Sequence, residues 1–264
     1  MQARLTFLGT GTSMGVPTLG CCCAVCTSPD PRDRRLRPSV LVRWVGEGGR
    51  ERVVVIDTGP DFREQALRTR LRHIDAVFYT HSHADHILGL DDLRPLSFAW
   101  IHPEGPIPLY AVPQTAEVLE RIFDYHFSSV STYPTRARVR IERLKETNPI
   151  HEAEFTRVPV KHGDMEIAGF RFGDTAYLTD VSEIPESSFG LLKNLNTLVL
   201  PSLRHHPHPS HATVKQAVEW AERIGARQTW LTHIAHELGH EVTNRILPPG
   251  VALAYDGLQV PVTL

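Results

Sequence analysis

Residues 80–86 read Thr-His-Ser-His-Ala-Asp-His, which packs three imidazoles and one carboxylate into six positions. Nitrogen and oxygen ligands of this kind suit Zn²⁺, Mn²⁺ or Fe²⁺. In a strand-to-helix turn, His81 and His83 can face one ion while Asp85 and His86 face a neighbouring one. Fifteen histidines in 264 residues is itself notable, because imidazole titrates near neutrality and is the commonest metal ligand. Further His and Asp residues stand singly after apolar runs. Asp57 follows Val-Val-Val-Ile, His162 follows Val-Pro-Val-Lys, Asp180 follows Tyr-Leu-Thr, and His233 follows Thr-Trp-Leu-Thr. A rigid scaffold places reacting groups at such exits, so these residues read as one site assembled from the whole chain. A solvated His-rich loop would explain 80–86 alone but not the matching residues at the other exits.

The elements that must position these groups are short and β-branched. Arg4–Leu8, Val40–Val45, Arg52–Ile56 and Ala76–Thr80 read as strands. So do Phe155–Val160, Ile167–Phe172, Ala176–Leu178, Thr197–Leu200 and Gln228–Leu231, and residues 251–264 look like terminal strands. Helices are expected after Asp61 as N-cap, over 115–127, and over 212–224, where Ser210 is a candidate cap and Gly225 the stop. Strands outnumber helices, which predicts layered sheets with helices outside. No linker, low-complexity segment or repeat divides residues 1–264.

Composition bounds the function. The chain is 41% apolar and 22% charged, with 28 Lys and Arg against 30 Asp and Glu. A net charge of −2 offers no general attraction to nucleic acid or an anionic membrane. No run approaches a membrane span and residues 1–15 lack a signal-peptide pattern, so the cytoplasm is the expected location. All four cysteines fall within 21–26, which disfavours a disulfide framework and suits reduced, metal-bound thiols.

On its His-x-His-x-Asp-His run the sequence resembles the metallo-β-lactamase superfamily. The resemblance extends to the Ile56-Asp57-Thr58-Gly59 turn, His162, Asp180 and His233, in order along nearly the whole chain. It implies an α/β fold, the αββα sandwich of two mixed sheets flanked by helices, over residues 1–264. It also implies two active-site divalent ions, Zn or Mn. His81, His83 and His162 would hold one, and Asp85, His86 and His233 the other. Asp180 would bridge them, and Asp57 would order the His loop without ligating. Ions ~3.5–4 Å apart can share a hydroxide and bind phosphoryl oxygens, which makes phosphodiester hydrolysis the expected reaction.

The amino-terminal segment narrows the resemblance to the PhnP-like cyclic phosphodiesterases of phosphonate operons. Gly9-Thr-Gly, Gly15-Val-Pro and Gly20-Cys21, followed by Cys23 and Cys26, carry it. Three thiolates leave a tetrahedral zinc one ligand short, and Thr232-His233-Ile-Ala-His236 offers the fourth. The family likeness assigns that role to His236, closing a structural zinc loop at 20–27. Cys22 lies outside the family pattern; it could substitute for a neighbouring ligand, but a plain buried thiol is the favoured expectation, since neighbours on an extended chain point opposite ways.

A departing alkoxide needs an acid. The likeness puts His211 at that task, against the plainer reading of a solvent-facing residue at a helix start. It also offers Arg34 or Arg35 as a fork for a substrate phosphate. Arg136, Arg138 and Arg140 alternate as a solvated strand face would, and His205, His206 and His208 read as a mobile rim. His73, His102, His126, His151 and His240 read as background. The expected partner is a small-molecule phosphodiester, without a membrane and without nucleic acid as main substrate, and a homodimer is compatible with the chain. A tRNase Z-like nuclease is the nearest rival, but the long basic arm it would need is missing. A thiolester hydrolase lacks its usual C-terminal helical domain here. A PqqB-like metal-stabilised binding protein is the non-enzyme alternative, and the full set of seven ligand-type residues disfavours it.

Overall fold

Apolar residues run almost unbroken through the central strands, as in Val53–Ile56 and Leu198–Leu200, which suits sheets covered on both faces, and the period of two decides which layer each side chain enters. A computed structural model describes residues 1–98, 100–128, 133 and 135–264. The strands are β1 (Gln2–Gly9), β2 (Ser39–Val45), β3 (Glu51–Ile56), β4 (Ala76–Phe78), β5 (Ile107–Ala111), β6 (Val139–Arg143) and β7 (Thr147–Ile150). They continue as β8 (Ala153–His162), β9 (Met165–Phe172), β10 (Thr175–Tyr177), β11 (Thr197–Pro201), β12 (Gln228–Thr232), β13 (Val251–Leu253) and β14 (Gln259–Thr263). One seven-stranded sheet runs β14-β1-β2-β3-β4-β5-β6 and the other β13-β12-β11-β10-β9-β8-β7. Both mix parallel and antiparallel pairs: β3 to β6 and β10 to β13 are parallel, and β8 pairs antiparallel with β9.

The inward faces meet in one core. Leu5, Phe7, Val42, Val54, Ile56 and Phe78 pack against Phe155, Phe170 and Phe172. Phe78 sits at its centre, with ring centroids 4.6 Å from Tyr110, 4.9 Å from Phe155 and 5.2 Å from Phe170, spacings that favour offset or edge-on aromatic contact. The alternate residues Leu41, Val53, Val55 and Val77 face outward under Phe62, Ile87, Leu90 and Leu119 from surrounding helices. On the other sheet, Val158, Val160, Leu198 and Leu231 face Val214, Ala217 and Ala221. The layers are helix, sheet, sheet, helix, as the sequence implied.

Several local expectations change. The late helix is Val214–Ile224, capped by Thr213 in a reciprocal box with Gln216 and ended by left-handed Gly225. Ser210 does not cap it and instead contacts His208. The helix expected over 115–127 is Pro113–Ile122 followed by a separate turn, Asp124–Phe127. Asp61 stands at the N-cap of the helix Phe62–Arg68, but its carboxylate binds the Arg37 guanidinium and backbone N–H instead of capping. Strands β5 and β7 lie outside the strand signals of the sequence, and β6 overlaps the alternating arginines at 136–140 only in part. Pro108 and Pro149 interrupt the strand signal of β5 and β7, while β6 alternates Val139 and Ile141 with charged residues over only five positions at a sheet edge. Among the described residues no helix is long and apolar enough to cross a membrane.

Candidate active site

Parallel strands deliver their exits to one side, and the chain turns sharply at three of them. Asp57, Asp180 and His233 adopt φ of 65°, 56° and 54°. For residues bearing a Cβ this left-handed conformation costs of order 1–3 kcal/mol and gathers at functional sites. No sequence pattern announced it. Each turn stops a strand and swings a side chain onto the loop 80–86.

Two groups of ligand-type atoms result. His81, His83 and His162 form one, and Asp85, His86, Asp180 and His233 form the other, with the ligand atoms in each within 4.8 Å of one another. The first three rings lie 4.6 to 5.4 Å apart, centroid to centroid. Asp180 joins the groups: Oδ1 is 2.7 Å from His233 Nε2, and Oδ2 is 2.7 Å from His86 Nε2 and 4.0 Å from His81 Nε2. All are buried except His83, which is exposed at the mouth.

The outer atoms fix which ring nitrogen is free. His86 Nδ1 donates to Asp57 Oδ2 at 2.8 Å, and His162 Nδ1 donates to the Ser210 carbonyl at 2.8 Å. Each proton is thereby held on the far nitrogen and each Nε2 lone pair is left facing inward. Asp57 also accepts from Thr80 N–H and Oγ1–H, both at 2.8 Å, so one buried carboxylate ties the His loop to β3. Burial pushes Asp57 upward, and the His86 and Thr80 contacts oppose that. The inward Nε2 atoms of His81, His86 and His233 have no hydrogen-bond partner. Buried nitrogens left this way are costly unless a cation takes their lone pairs, so the donor set fits divalent metal.

His211 joins the same mouth. Its ring stacks on His233 with centroids 4.8 Å apart and lies 4.7 Å from His162, and Nδ1 is 3.3 Å from Asp180 Oδ1. Burial first, and then neighbouring His233, lowers it to about 3. His208, expected on a rim, is half-buried with its ring 4.9 Å from His211, while His205 and His206 are exposed.

Cys21, Cys23 and Cys26 converge on His236, their sulfurs 3.2, 3.5 and 3.5 Å from Nδ1. Burial pushes the Cys26 thiol up to about 11, while the Cys26 N–H holds Cys23 down to about 6. Sulfurs so crowded ionise together only around a cation, and a Cys₃His set suits zinc. Cys22 is exposed instead of buried and stands apart from this group.

Neither Arg34 nor Arg35 reaches the cluster as a free fork. Arg35 is 1% exposed and is spent internally, with Nη2 on Asp33 and the Leu238 carbonyl and Nη1 on the Ala235 carbonyl. It braces the turn carrying His236 and is closed to substrate. Arg34 is exposed on the short turn after Pro31–Asp33, and among the described residues nothing brings it to the cluster. Arg136 and Arg138 precede β6, so the three arginines share no strand face. The background histidines have ordinary partners, as in His126 between Asp91 and the Ala137 N–H.

A beta-lactamase superfamily domain matches residues 52–234. The crystal structure of a new diphosphatase from the PhnP family is 52% identical with a TM-score of 0.92, covering 99% of this chain and 98% of that one. The octanoyltransferase of Porphyromonas gingivalis W83 is 36% identical over 260 residues, which is 97% of this chain and 51% of that protein. A ribonuclease Z of Methanococcus maripaludis C6 is 30% identical over 133 residues, 50% of this chain and 36% of that protein. The chain thus spans about half, or less, of the length of these curated relatives.

Proposed function

The chain belongs to the beta-lactamase superfamily, and we propose that within it this protein is a two-metal phosphohydrolase acting on small phosphodiesters, cyclic ones among them. The observation that carries this reading is Asp180. One buried carboxylate faces both ligand groups, Oδ1 toward His233 and Oδ2 toward His86 and His81, as a ligand shared by two ions would. His81, His83 and His162 would hold one ion, and Asp85, His86 and His233 the other. Cys21, Cys23, Cys26 and His236 would hold a structural zinc. When bound, the active-site pair supplies Lewis acidity toward phosphoryl oxygens and an activated water at neutral pH.

The protein's own part is orientation and proton delivery. Asp57 and Thr80 hold His86, the Ser210 carbonyl holds His162, and the left-handed turn at residue 233 aims its imidazole. His211 is the acid for the departing oxygen. Burial favours its neutral form, and an anionic phosphoryl group beside it favours the protonated form.

A second reading comes from the 52% identical neighbour, described as a diphosphatase. There the bond cleaved would be a phosphoanhydride, whose phosphate leaving group needs protonation less than an alkoxide does. Turnover of bis(p-nitrophenyl) phosphate, 2′,3′-cyclic nucleotides and cyclic ribose phosphates, beside ADP, alongside metal analysis, separates the two. The diester reading expects the esters to be cleaved. It also expects His211→Ala to slow alkoxide esters more than p-nitrophenolate esters while sparing metal content. Protein carrying both ions but inert toward every diester overturns it.

A further inference from the structure

Beside the cluster, the two sheets part around a cavity of about 460 Å³ that none of the assigned roles uses. Its inner end is His81 and Ser82, the loop that carries the cluster. One wall is the start of helix Pro113–Ile122, and the other is the β8–β9 hairpin. The Ala168 N–H donates to the Thr80 carbonyl at 3.0 Å, so β9 is tied to the loop and the cavity is framed where that tie is made. This volume lies in the ordinary range of small-molecule sites.

The lining has a definite chemical character. Val112, Pro113, Met165 and Ile167 supply apolar wall, and Met165 is 42% exposed, which is unusual for a side chain that is seldom left in water. Gln114 contributes an amide able both to donate and to accept. The lining's two fixed charges, Arg157 and Glu166, pair with each other at 2.5 Å. A cavity whose two charges cancel offers a second phosphate little net attraction, whereas an apolar wall with an amide at its edge suits an uncharged ring bearing hydrogen-bonding groups. The groove by Arg63, Arg70 and Arg72 sets arginines beside Leu67, Leu71 and Leu96, but nothing in the structure shows what covers it.

We propose that this cavity is the subsite for the organic substituent that stays on the phosphate, and that it selects an uncharged, ring-bearing group of nucleoside size. The proposal rests on the phosphodiesterase reading. It names the substrate class as diesters carrying one such group, with the phosphorus at the cluster and the ring between Met165 and Gln114.

The test compares two esters with the same leaving group, methyl p-nitrophenyl phosphate and the p-nitrophenyl ester of thymidine 5′-phosphate, on metal-replete protein. The thymidine ester should show a KM lower by about tenfold or more, equivalent to about 1.4 kcal/mol. Gln114→Trp places bulk in the cavity from an exposed position. It should cut the ratio of the two kcat/KM values by about fivefold or more. A second readout needs no turnover: the chain has three methionines, so methyl-labelled protein reports Met165 separately from Met1 and Met14. Titration with thymidine 5′-monophosphate should shift the Met165 methyl signal. Equal KM values, an unchanged ratio in Gln114→Trp, or an unmoved Met165 signal overturns the subsite. Failure of both esters with a shifted Met165 signal overturns the phosphodiesterase reading and leaves the subsite standing.

Discussion

Asp57 shows how much of the site depends on a residue that touches no ion in the proposed arrangement. Its two oxygens take three hydrogen bonds, from the Thr80 N–H, the Thr80 hydroxyl and His86 Nδ1, and so set the ring orientation of His86 and the start of the His loop together. Asp57→Asn keeps the shape but presents an N–H₂ to one of those donors. The expected outcome is a loss of metal affinity of about 10- to 100-fold, measured by competition with a chromogenic chelator, with the fold retained by circular dichroism. Unchanged affinity would show that the loop orders itself. The ligand-type residues were legible because their chemistry is written in their types: few ordinary structures need His-x-His-x-Asp-His followed by isolated His and Asp at strand exits. Arg35 was misread for the complementary reason. A guanidinium fork recognises a carbonyl pair as readily as a phosphate, and only the packing shows that it is used up on Ala235, Leu238 and Asp33.

At the scale of elements, the turn after β3 and the short helix Ala84–Ile87 fit so closely that only glycine passes between them. A Cβ on Gly59 would stand 2.0 Å from the Asp85 carbonyl oxygen, and one on Gly89 would stand 2.1 Å from the Gly59 carbonyl oxygen. Gly59→Ala should therefore push the helix bearing Asp85 and His86 off the cluster. The prediction is a destabilisation of about 1–3 kcal/mol, the range for overpacking a tight contact, accompanied by loss of one ion per chain. Thermal unfolding with and without added metal checks it, and a variant with native stability and full metal content would contradict it. Strands made of short β-branched runs, such as Val53–Ile56, are readable from the sequence, and so is the layering they imply. Strands β5 and β7 carry Pro108 and Pro149, which break the strand signal, and β6 is a short edge strand with charged residues at every second position. The start of Val214–Ile224 was misplaced because Ser210 and Thr213 are both good caps by type, and only Gln216 three residues after Thr213 decides between them.

Across the whole molecule, the amino-terminal loop, the carboxy-terminal strands and the cluster are joined through a few buried contacts. His233 belongs to the cluster and His236 to the cysteine group. Between them, Ile234 exchanges backbone hydrogen bonds with Thr10 and Thr12. Asp256 closes the same region, accepting from the Thr10 N–H and hydroxyl, the Leu36 N–H and Arg68. Burial pushes its carboxyl up to about 6 from the ordinary 3.8. The folded protein thus binds this proton more tightly than the unfolded chain, so the group's contribution to stability is full below about pH 4 and is lost as pH rises through about 6. The stability gap between the native protein and Asp256→Asn should narrow over that window by up to about 3 kcal/mol, at about 1.4 kcal/mol per pKa unit. Urea unfolding at several pH values reads it, and a gap that widens with pH would contradict the burial argument.

The central claim is that Asp180 is shared by two ions held by opposite groups. Electron paramagnetic resonance of protein loaded with Mn²⁺ addresses it directly, because two manganese ions sharing a carboxylate are magnetically coupled while isolated ions are not. The account predicts a coupled-pair spectrum for the native protein, replaced by uncoupled or missing manganese in Asp180→Ala. An uncoupled spectrum at two ions per chain, or a coupled one that survives Asp180→Ala, would contradict it.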